Sequence, residues 1–171
     1  MSATVPWGER RARSHGRPHS CYVRAADEGD LPAIVAAVRN LLIELGATPA
    51  AAEPMREAAA AILAQPDLGV LLLAEIRGEP IGFLGVSWQS AVRVPGRYAL
   101  IQELWVHSDW RRRDVGAELL AALFALAPTH GISRIEVGLP GDGFPELAAT
   151  EAFYARNGFS RTGTRMRRLL G

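Results

Sequence analysis

The 171-residue chain contains no lysine, and all 19 of its basic residues are arginines. Without a lysine amine the protein cannot use lysine Schiff-base chemistry or acetylate itself on lysine. Its one cysteine, Cys21, cannot form an internal disulfide, which agrees with a reducing compartment. The sequence also shows no apolar run of membrane-spanning length and no leader with a cleavage site. We therefore expect a cytoplasmic protein with no membrane partner.

Net charge is also low, at +1, which argues against a nucleic-acid partner. Residues 1–20 and 161–171 are basic, and the stretch between them is acidic. That acidic body could suit a cationic amine substrate, or it could be an ordinary solvated surface. His15, His19 and Cys21 lie close together, but three ligands without a fourth do not make a zinc site, so we expect no metal.

Residues 1–20 mix Gly, Pro, Ser, His and Arg without periodicity and are predicted to be a disordered tail. A single domain is expected over residues 21–171, which is long enough to bury a full core. Periodicity and turn residues predict the order β-α-α-β-β-β-α-β-α-β. Strands are predicted at residues 22–24, 69–76, 81–88, 99–106, 132–139 and 159–170, and helices at 27–46, 49–64, 115–126 and 146–157. Turns are predicted at residues 77–80 and 93–97.

Residues 99–126 carry the most informative pattern. A strand that is apolar on both faces leads through a polar turn at residues 109–114 into a helix that begins at Val115. The first N–H groups of such a helix have no backbone partner and favour an anion. Three arginines in the turn add positive charge, and the small pair Gly116-Ala117 allows a close approach to the backbone. The pattern predicts a site for a multiply charged phosphate compound.

This stretch resembles motif A of the Gcn5-related N-acetyltransferases (GNAT family), whose pattern is Gln/Arg-x-x-Gly-x-Gly/Ala. Here the motif appears as Arg111-x-x-Asp114-x-Gly116-Ala117. The resemblance implies acetyl-coenzyme A (acetyl-CoA) as co-substrate, no metal, and a single-domain GNAT fold of the α/β (α+β) class, with a mixed, mostly antiparallel sheet flanked by helices. Asp114 replaces the family's first Gly, and its side chain could bond the helix amides or face solvent. The residues assigned to acetyl-CoA binding are Leu104, Trp105, Val106, Arg111, Arg112, Arg113, Asp114, Val115, Gly116 and Ala117.

A second stretch, residues 152–159, is similar to motif B of the same family, in which a helix with a Phe-Tyr pair ends at Gly-Phe. The resemblance implies that Tyr154 protonates the departing coenzyme thiolate. The alternative is a core aromatic that covers the helix end. The family often has an Asn seven residues before this Tyr, and this chain has Leu147 there.

Glu103 is the candidate base that removes a proton from the acceptor amine, because some family members place an acid at this position of the central strand. Alternation of the strand predicts that Glu103 shares a face with Ile101 and Trp105. The alternative role for Glu103 is a salt bridge to an arginine. His107 has a suitable ordinary pKa for a base but is expected at the surface. The resemblance implies a bulge in this strand that splays the sheet, where the N–H of Leu104 or Val106 is expected to meet the oxyanion.

The acceptor pocket is expected between residues 45–54, the turn at residues 95–96 and the loop at residues 140–145. Trp88 and Trp105 could wall this pocket or could be ordinary packing. These segments do not select among amines, so the expected acceptor is the primary amine of a small molecule, or of a peptide or protein. The resemblance is also compatible with a homodimer.

The expected reaction is therefore acetyl transfer by direct attack in a ternary complex, with no covalent enzyme intermediate. An acetyl-CoA-binding sensor with little or no turnover is the main alternative, and Asp114 and Leu147 are the residues that favour it. A basic nucleic-acid module would explain Arg111, Arg112 and Arg113, but no aromatic RNA-binding pattern accompanies them.

Overall fold

The computed structural model describes residues 21–163, in which five strands form one sheet in the order β1-β2-β3-β4-β5. Strands β1 to β4 pair antiparallel, and β4 pairs with β5 in parallel. This mixed sheet and its flanking helices confirm the expected fold class. The strands are β1 (Tyr22–Ala25), β2 (Gly69–Ile76), β3 (Glu79–Ala91), β4 (Val94–Val106) and β5 (Ile135–Val137), and the helices are α1 (Leu31–Glu44), α2 (Ala52–Ala64), α3 (Val115–Leu126) and α4 (Leu147–Arg156).

The predicted order of elements is confirmed from β1 to α4. The predicted tail, residues 1–20, and residues 164–170 of the predicted last strand lie outside the described residues. Residues 159–163 belong to no strand, so that part of the prediction is wrong. Asp27 caps a short 3-10 helix, Glu28–Asp30, which leads directly into α1. No helix in the described part of the chain is long and apolar enough to span a membrane.

The predicted turn at residues 93–97 is wrong in position. The chain reverses at residues 92–93, and β4 begins at Val94. Gly96, with a φ of 89°, lies inside the strand, where the pairing register between β3 and β4 shifts. The Pro-Gly pair therefore marks an irregular strand end rather than the reversal itself, as glycine inside a strand often does.

Helices cover both faces of the sheet because strand side chains point alternately to opposite sides. The face on which α3 packs buries Leu72, Leu84, Val86, Ile101, Leu119, Leu120 and Leu123. The face on which α1 and α2 pack buries Leu31, Ile34, Leu71, Leu73 and Phe83. We call these the α3 face and the α1 face. Strand β4 contributes side chains to both.

Candidate active site

A bulge in β4 controls where its polar side chains point. Gly85 pairs with Glu103, but the next residue of β3, Val86, pairs with Ile101, so Gln102 is an extra residue on β4. A bulge of this kind re-aims side chains on the strand that carries it. Ile101 belongs to the α3-face core, whereas Trp105 packs with the α1-face core. The prediction that Glu103 shares a face with Ile101 is wrong, because the bulge breaks the alternation between them; Glu103 shares the α1 face with Trp105.

Glu103 lies over a glycine on the neighbouring strand. A Cβ atom at Gly85 would be 2.3 Å from Glu103 Oε2, so the carboxylate occupies the space that any other residue would fill. Glu103 makes no hydrogen bond or ion pair with any described residue, and therefore the predicted alternative of a salt bridge is not found there. Burial raises the pKa of Glu103 from 4.5 to about 7, because desolvation disfavours the charged form.

Beyond Ile101, no strand in the described part of the chain pairs with the edge of β4 that faces β5, and we call this the open edge. Pairing between the two strands covers only Ala99, Leu100 and Ile101. His107 N donates to Ile81 O on β3 at 2.9 Å, and N–H groups of an antiparallel strand point to alternate sides. The N–H groups of Leu104 and Val106 therefore point to the open edge, beside the strand position that carries Glu103.

The turn that follows β4 has two residues in the left-handed conformation, Arg112 with a φ of 58° and Asp114 with a φ of 63°. Asp114 adopts the conformation that glycine accepts most easily, and aspartate is one of the few other residues that visit it. Its side chain makes no capping hydrogen bond to α3, although it occupies the N-cap position. The first N–H groups of α3 thus lack a side-chain cap, which leaves them suited to an anion.

The arginines of the turn do not all face the same partner. Arg111 binds both carboxylate oxygens of Glu44 at 2.6 Å and donates to the Val106 carbonyl at 3.0 Å. The guanidinium of Arg113 lies 5.1 Å from the ring centre of Trp110, a cation–π distance. Arg111 is therefore tied to the C-terminal end of α1, and Arg112 and Arg113 are the exposed cations nearer the start of α3.

The first turn of α3 packs against α4. A Cβ atom at Gly116 would be 3.1 Å from Cζ of Phe153 and 3.8 Å from Cγ2 of Val106. The absence of a side chain at Gly116 therefore serves this helix contact, which the sequence pattern did not reveal. Val115 is buried, and Ala117 is half-buried at the same end of the helix.

Tyr154 lies in the α3-face core with only 7% of its surface exposed. Its ring packs edge-on against Phe153 and Phe159, at centroid distances of 5.1 and 5.3 Å. Burial raises the pKa of Tyr154 to about 12, so the phenol keeps its proton at neutral pH. Glu103 and Tyr154 thus lie on opposite faces of the sheet. The candidate proton acceptor, Glu103, is separated from the candidate proton donor, Tyr154, by the sheet layer that contains β4.

Two further positions were singled out in the sequence. His107 is exposed at the end of β4, where its Nδ1 accepts a hydrogen bond from Asp109 N at 3.3 Å. That bond uses one imidazole lone pair and holds the ring next to the strand end. Leu147 is the first residue of α4.

A cavity of about 270 Å³ opens beside β4 on the α1 face. Trp105 donates from its indole nitrogen to Glu44 Oε1 at 3.2 Å, so the carboxylate that binds Arg111 also fixes this ring. The sequence analysis did not identify Asn40 and Ile43 as lining residues, because both look like ordinary positions of a helix. The charge of Glu44 was the feature of the sequence that could have pointed to this cavity. The cavity is lined by Asn40, Ile43, Glu44, Trp105, His107 and Ser108.

The described residues contain no group of three or more His, Cys, Asp or Glu side chains that could hold a metal ion. Cys21 lies just before β1, three strands away from β4 in the sheet. Desolvation is the main cause that raises the pKa of its thiol, which keeps the sulfur protonated and a poor nucleophile.

Comparison with known families identifies the class of the protein. The model of the acetyltransferase (GNAT) family matches residues 35–159, and the chain belongs to this family. It is therefore an acetyltransferase by class, in agreement with the motifs at residues 111–117 and 152–159. No curated protein matches the sequence.

Solved structures share the fold over most of the chain. An integron cassette protein from the mobile metagenome of Cole Harbour Salt Marsh is 25% identical, with a TM-score of 0.70 over 87% of this chain and 88% of its own. A predicted acetyltransferase with acetyl-CoA from Clostridium acetobutylicum is 20% identical, with a TM-score of 0.72 over 88% and 96%. Glucosamine-6-phosphate N-acetyltransferase from Arabidopsis thaliana is 16% identical, with a TM-score of 0.70 over 90% and 100%.

Proposed function

We propose that the protein transfers the acetyl group of acetyl-CoA to a primary amine, of a small molecule or of a peptide, by direct attack in a ternary complex. The observation that carries this proposal is the position of Glu103. A carboxylate with a pKa near 7, and with no hydrogen bond or ion pair among residues 21–163, stands on β4 where the edge facing β5 presents two backbone N–H groups. Family membership and the solved structure of a relative with acetyl-CoA support the same co-substrate.

The cofactor site runs from the start of α3 to the open edge of β4. The N–H groups of Val115, Gly116 and Ala117 would bind the pyrophosphate, since no side chain caps them. Arg112 and Arg113 would add charge, whereas Arg111 acts through its bonds to Glu44 and Val106. The remaining assigned positions, Leu104, Trp105, Val106 and Asp114, would contribute strand backbone and the left-handed turn.

Glu103 would act as the base. An amine arrives mostly as ammonium, and it must lose a proton before its nitrogen can bond to the acetyl carbon. A carboxylate whose pKa lies near 7 is half ionised at neutral pH and matches that task better than an exposed glutamate would. The N–H of Leu104 or Val106 would stabilise the negative charge that develops on the acetyl oxygen.

Tyr154 would complete the reaction. As the nitrogen–carbon bond forms, the carbon–sulfur bond breaks, and the sulfur leaves with the electron pair and needs a proton. The phenol of Tyr154 stays protonated, with a pKa of about 12, and can supply it. The products are an N-acetyl amide and the coenzyme thiol. Cys21, protonated and three strands from β4, is not suited to a covalent route.

A catalytically weak acetyl-CoA sensor is the second candidate. It is favoured by Asp114, whose negative charge lies in the turn that would bind phosphate, and by the engagement of Arg111 with Glu44. The two candidates agree on cofactor binding and differ in amine turnover.

The test combines calorimetric titration of acetyl-CoA with a thiol-release assay on a panel of primary amines. We expect micromolar binding, amine-dependent thiol release, and a loss of about 100-fold or more in kcat/KM for Glu103→Gln and about tenfold for Tyr154→Phe. The control is Glu79→Gln, which changes an exposed carboxylate at the start of β3. Binding without turnover would replace the enzyme with the sensor, and no binding at all would refute both.

A further inference from the structure

We infer that the acceptor is a hydroxylated primary amine, whose polar groups lie along a strip of three side chains next to Glu103: Gln102, Ser87 and Gln89. This inference rests on the proposed function and adds to it a substrate class and specificity-determining residues. None of the three side chains belongs to the motifs that define the family pattern in this sequence.

The bulge creates the strip. Gln102 follows Ile101, whose side chain is on the α3 face, so strand alternation points Gln102 to the α1 face; because Gln102 is the extra residue on β4, Glu103 points to that face as well. The amide of Gln102 reaches Ser87, on the same face as Gly85 and two residues further along β3. The same irregularity of the strand thus places Gln102 and Glu103 next to each other on the α1 face.

The hydrogen bonds inside the strip leave several groups available. The amide nitrogens of Gln102 and Gln89 both donate to Ser87 Oγ at 2.8 Å. A hydroxyl has two lone pairs and one hydrogen, so both lone pairs are used and the hydrogen remains to be donated. If one of the two amides were flipped, its oxygen would accept the hydroxyl hydrogen of Ser87. The oxygen of the other amide would still have no partner among these three side chains. In either arrangement the strip presents both donors and acceptors.

The position of the strip suits the acceptor rather than the cofactor. The proposed cofactor site extends from α3 along the edge at Val106 and Leu104, which is the side of Glu103 toward the end of β4. Gln102 and Ser87 lie on the other side of Glu103. Gln102 is exposed, whereas Ser87 and Gln89 are half-buried, so a bound molecule would desolvate them.

Desolvation makes the strip selective. An alkylamine that covered these groups would leave them without hydrogen-bond partners, and an amine with hydroxyl groups would replace the lost water. A site that hydrogen-bonds a substrate hydroxyl discriminates strongly against the analogue without it. Hydroxylated amines are therefore expected to be the better acceptors.

The experiment compares two matched pairs of amines with acetyl-CoA: glucosamine with cyclohexylamine, and 3-amino-1,2-propanediol with propylamine. Hydroxyl groups lower the pKa of a neighbouring ammonium, so kcat/KM is expressed per concentration of unprotonated amine; on that basis we expect it to be about tenfold or more higher for the hydroxylated member of each pair in the unmodified protein. In Gln102→Ala this ratio should fall several-fold, mainly through KM for the hydroxylated amine. Ser87→Ala, which removes the shared hydroxyl, should shift the ratio in the same direction. Gln65→Ala is the matched control, because Gln65 is exposed beyond α2 and its side chain should leave the ratio unchanged.

A ratio near one in the unmodified protein would overturn the inference, and so would a ratio that Gln102→Ala and Ser87→Ala leave unchanged. In both cases acetylation of the amines would still support the proposed function. Acetyl-CoA binding without acetylation of any of the four amines would overturn the assignment of the acceptor class, and the proposed turnover would be overturned as well only if no amine of the wider panel were acetylated.

Discussion

The two halves of β4 differ in pairing and burial. Before the bulge, Ala99, Leu100 and Ile101 pair with strands on both sides and expose no more than 7% of their surfaces. After the bulge, residues 103–106 pair only with β3 among the described strands, and all four are half-buried. The first half contributes hydrophobic stability, and the second half presents a carboxylate and unpaired N–H groups.

The difference shows where this sheet can carry chemistry. A carboxylate placed opposite Val86, within the doubly paired half, would lie in the core with no route for a substrate. One residue past the bulge, the same group keeps a raised pKa and borders an open edge. The proposed role of Glu103 therefore depends on the loss of strand pairing at this point, and that loss is expected to cost stability.

The largest expected effect measures a second cost of this half of the strand, the burial of the Glu103 carboxylate. Burial raises the pKa of Glu103 above its ordinary value of 4.5 to about 7, so the folded state holds a proton that the unfolded state has already released in this interval. Stability from this group therefore falls as pH rises from about 4.5 to 7, by ~3 kcal/mol in total. Glu103→Gln should increase the free energy of unfolding more at pH 8 than at pH 4, by about this amount, measured by urea denaturation. Glu79→Gln is the exposed control, and equal effects of Glu103→Gln at both pH values would contradict the prediction.

A smaller effect separates function from stability at two glycines: Gly85, which pairs with Glu103, and Gly69, which pairs with Ser87. In Gly85→Ala the new Cβ meets the flexible end of Glu103, so we expect the carboxylate to move and kcat/KM to fall about tenfold with little change in Tm. In Gly69→Ala the new Cβ would be 2.0 Å from the Val86 carbonyl, a backbone atom, so Tm should fall strongly. Thermal melts and kinetics of both variants give the comparison. Unchanged kcat/KM in Gly85→Ala would show that the position of the carboxylate does not depend on this glycine, and a large loss of Tm would show that movement of the carboxylate does not accommodate the new Cβ.

The smallest expected effect concerns the turn beyond the second half. Asp114→Gly relieves a left-handed backbone and removes a negative charge near the proposed phosphate site, so acetyl-CoA binding should tighten about two- to fivefold without loss of Tm. Asp114→Ala, which removes the charge but keeps a Cβ, should bind better than the unmodified protein and melt lower than Asp114→Gly. Calorimetric titration and thermal melts would measure both. Weaker binding by both variants would mean that Asp114 supports the site.

Much of this molecule was predictable from local patterns. The strand at Gly69–Ile76 and the helix from Val115 have the predicted bounds, because hydrophobic runs and periodicity determine them. The motifs identified the family through the residues of one turn and one helix end. Both the bounds of these elements and the two motifs depend on residues that are close together in the sequence.

The errors share a physical cause. The position of the reversal at residues 92–93 depends on the register between β3 and β4, which a Pro-Gly pair alone does not determine. Whether Glu103 shares a face with Ile101 depends on the position of the bulge: the resemblance implies a bulge in this strand, but no residue type locates it at Gln102. The contact of Arg111 with Glu44 joins positions 67 residues apart. Pairing register and long-range ion pairs are properties of the assembled sheet, so the sequence pattern alone could not supply them.

The carboxylate of Glu44 has a consequence for how the protein could change during evolution. It binds Arg111 at the turn and Trp105 on β4, so one side chain joins the proposed phosphate-binding turn to the strand that carries Glu103. A substitution at this position would disturb the turn and the strand at once, so selection for a new acceptor would be constrained by the cofactor. Among the described residues, the side chain of Gln102 bonds to Ser87 alone and does not join two parts of the site. New acceptor preferences should therefore arise at the bulge more readily than at the end of α1.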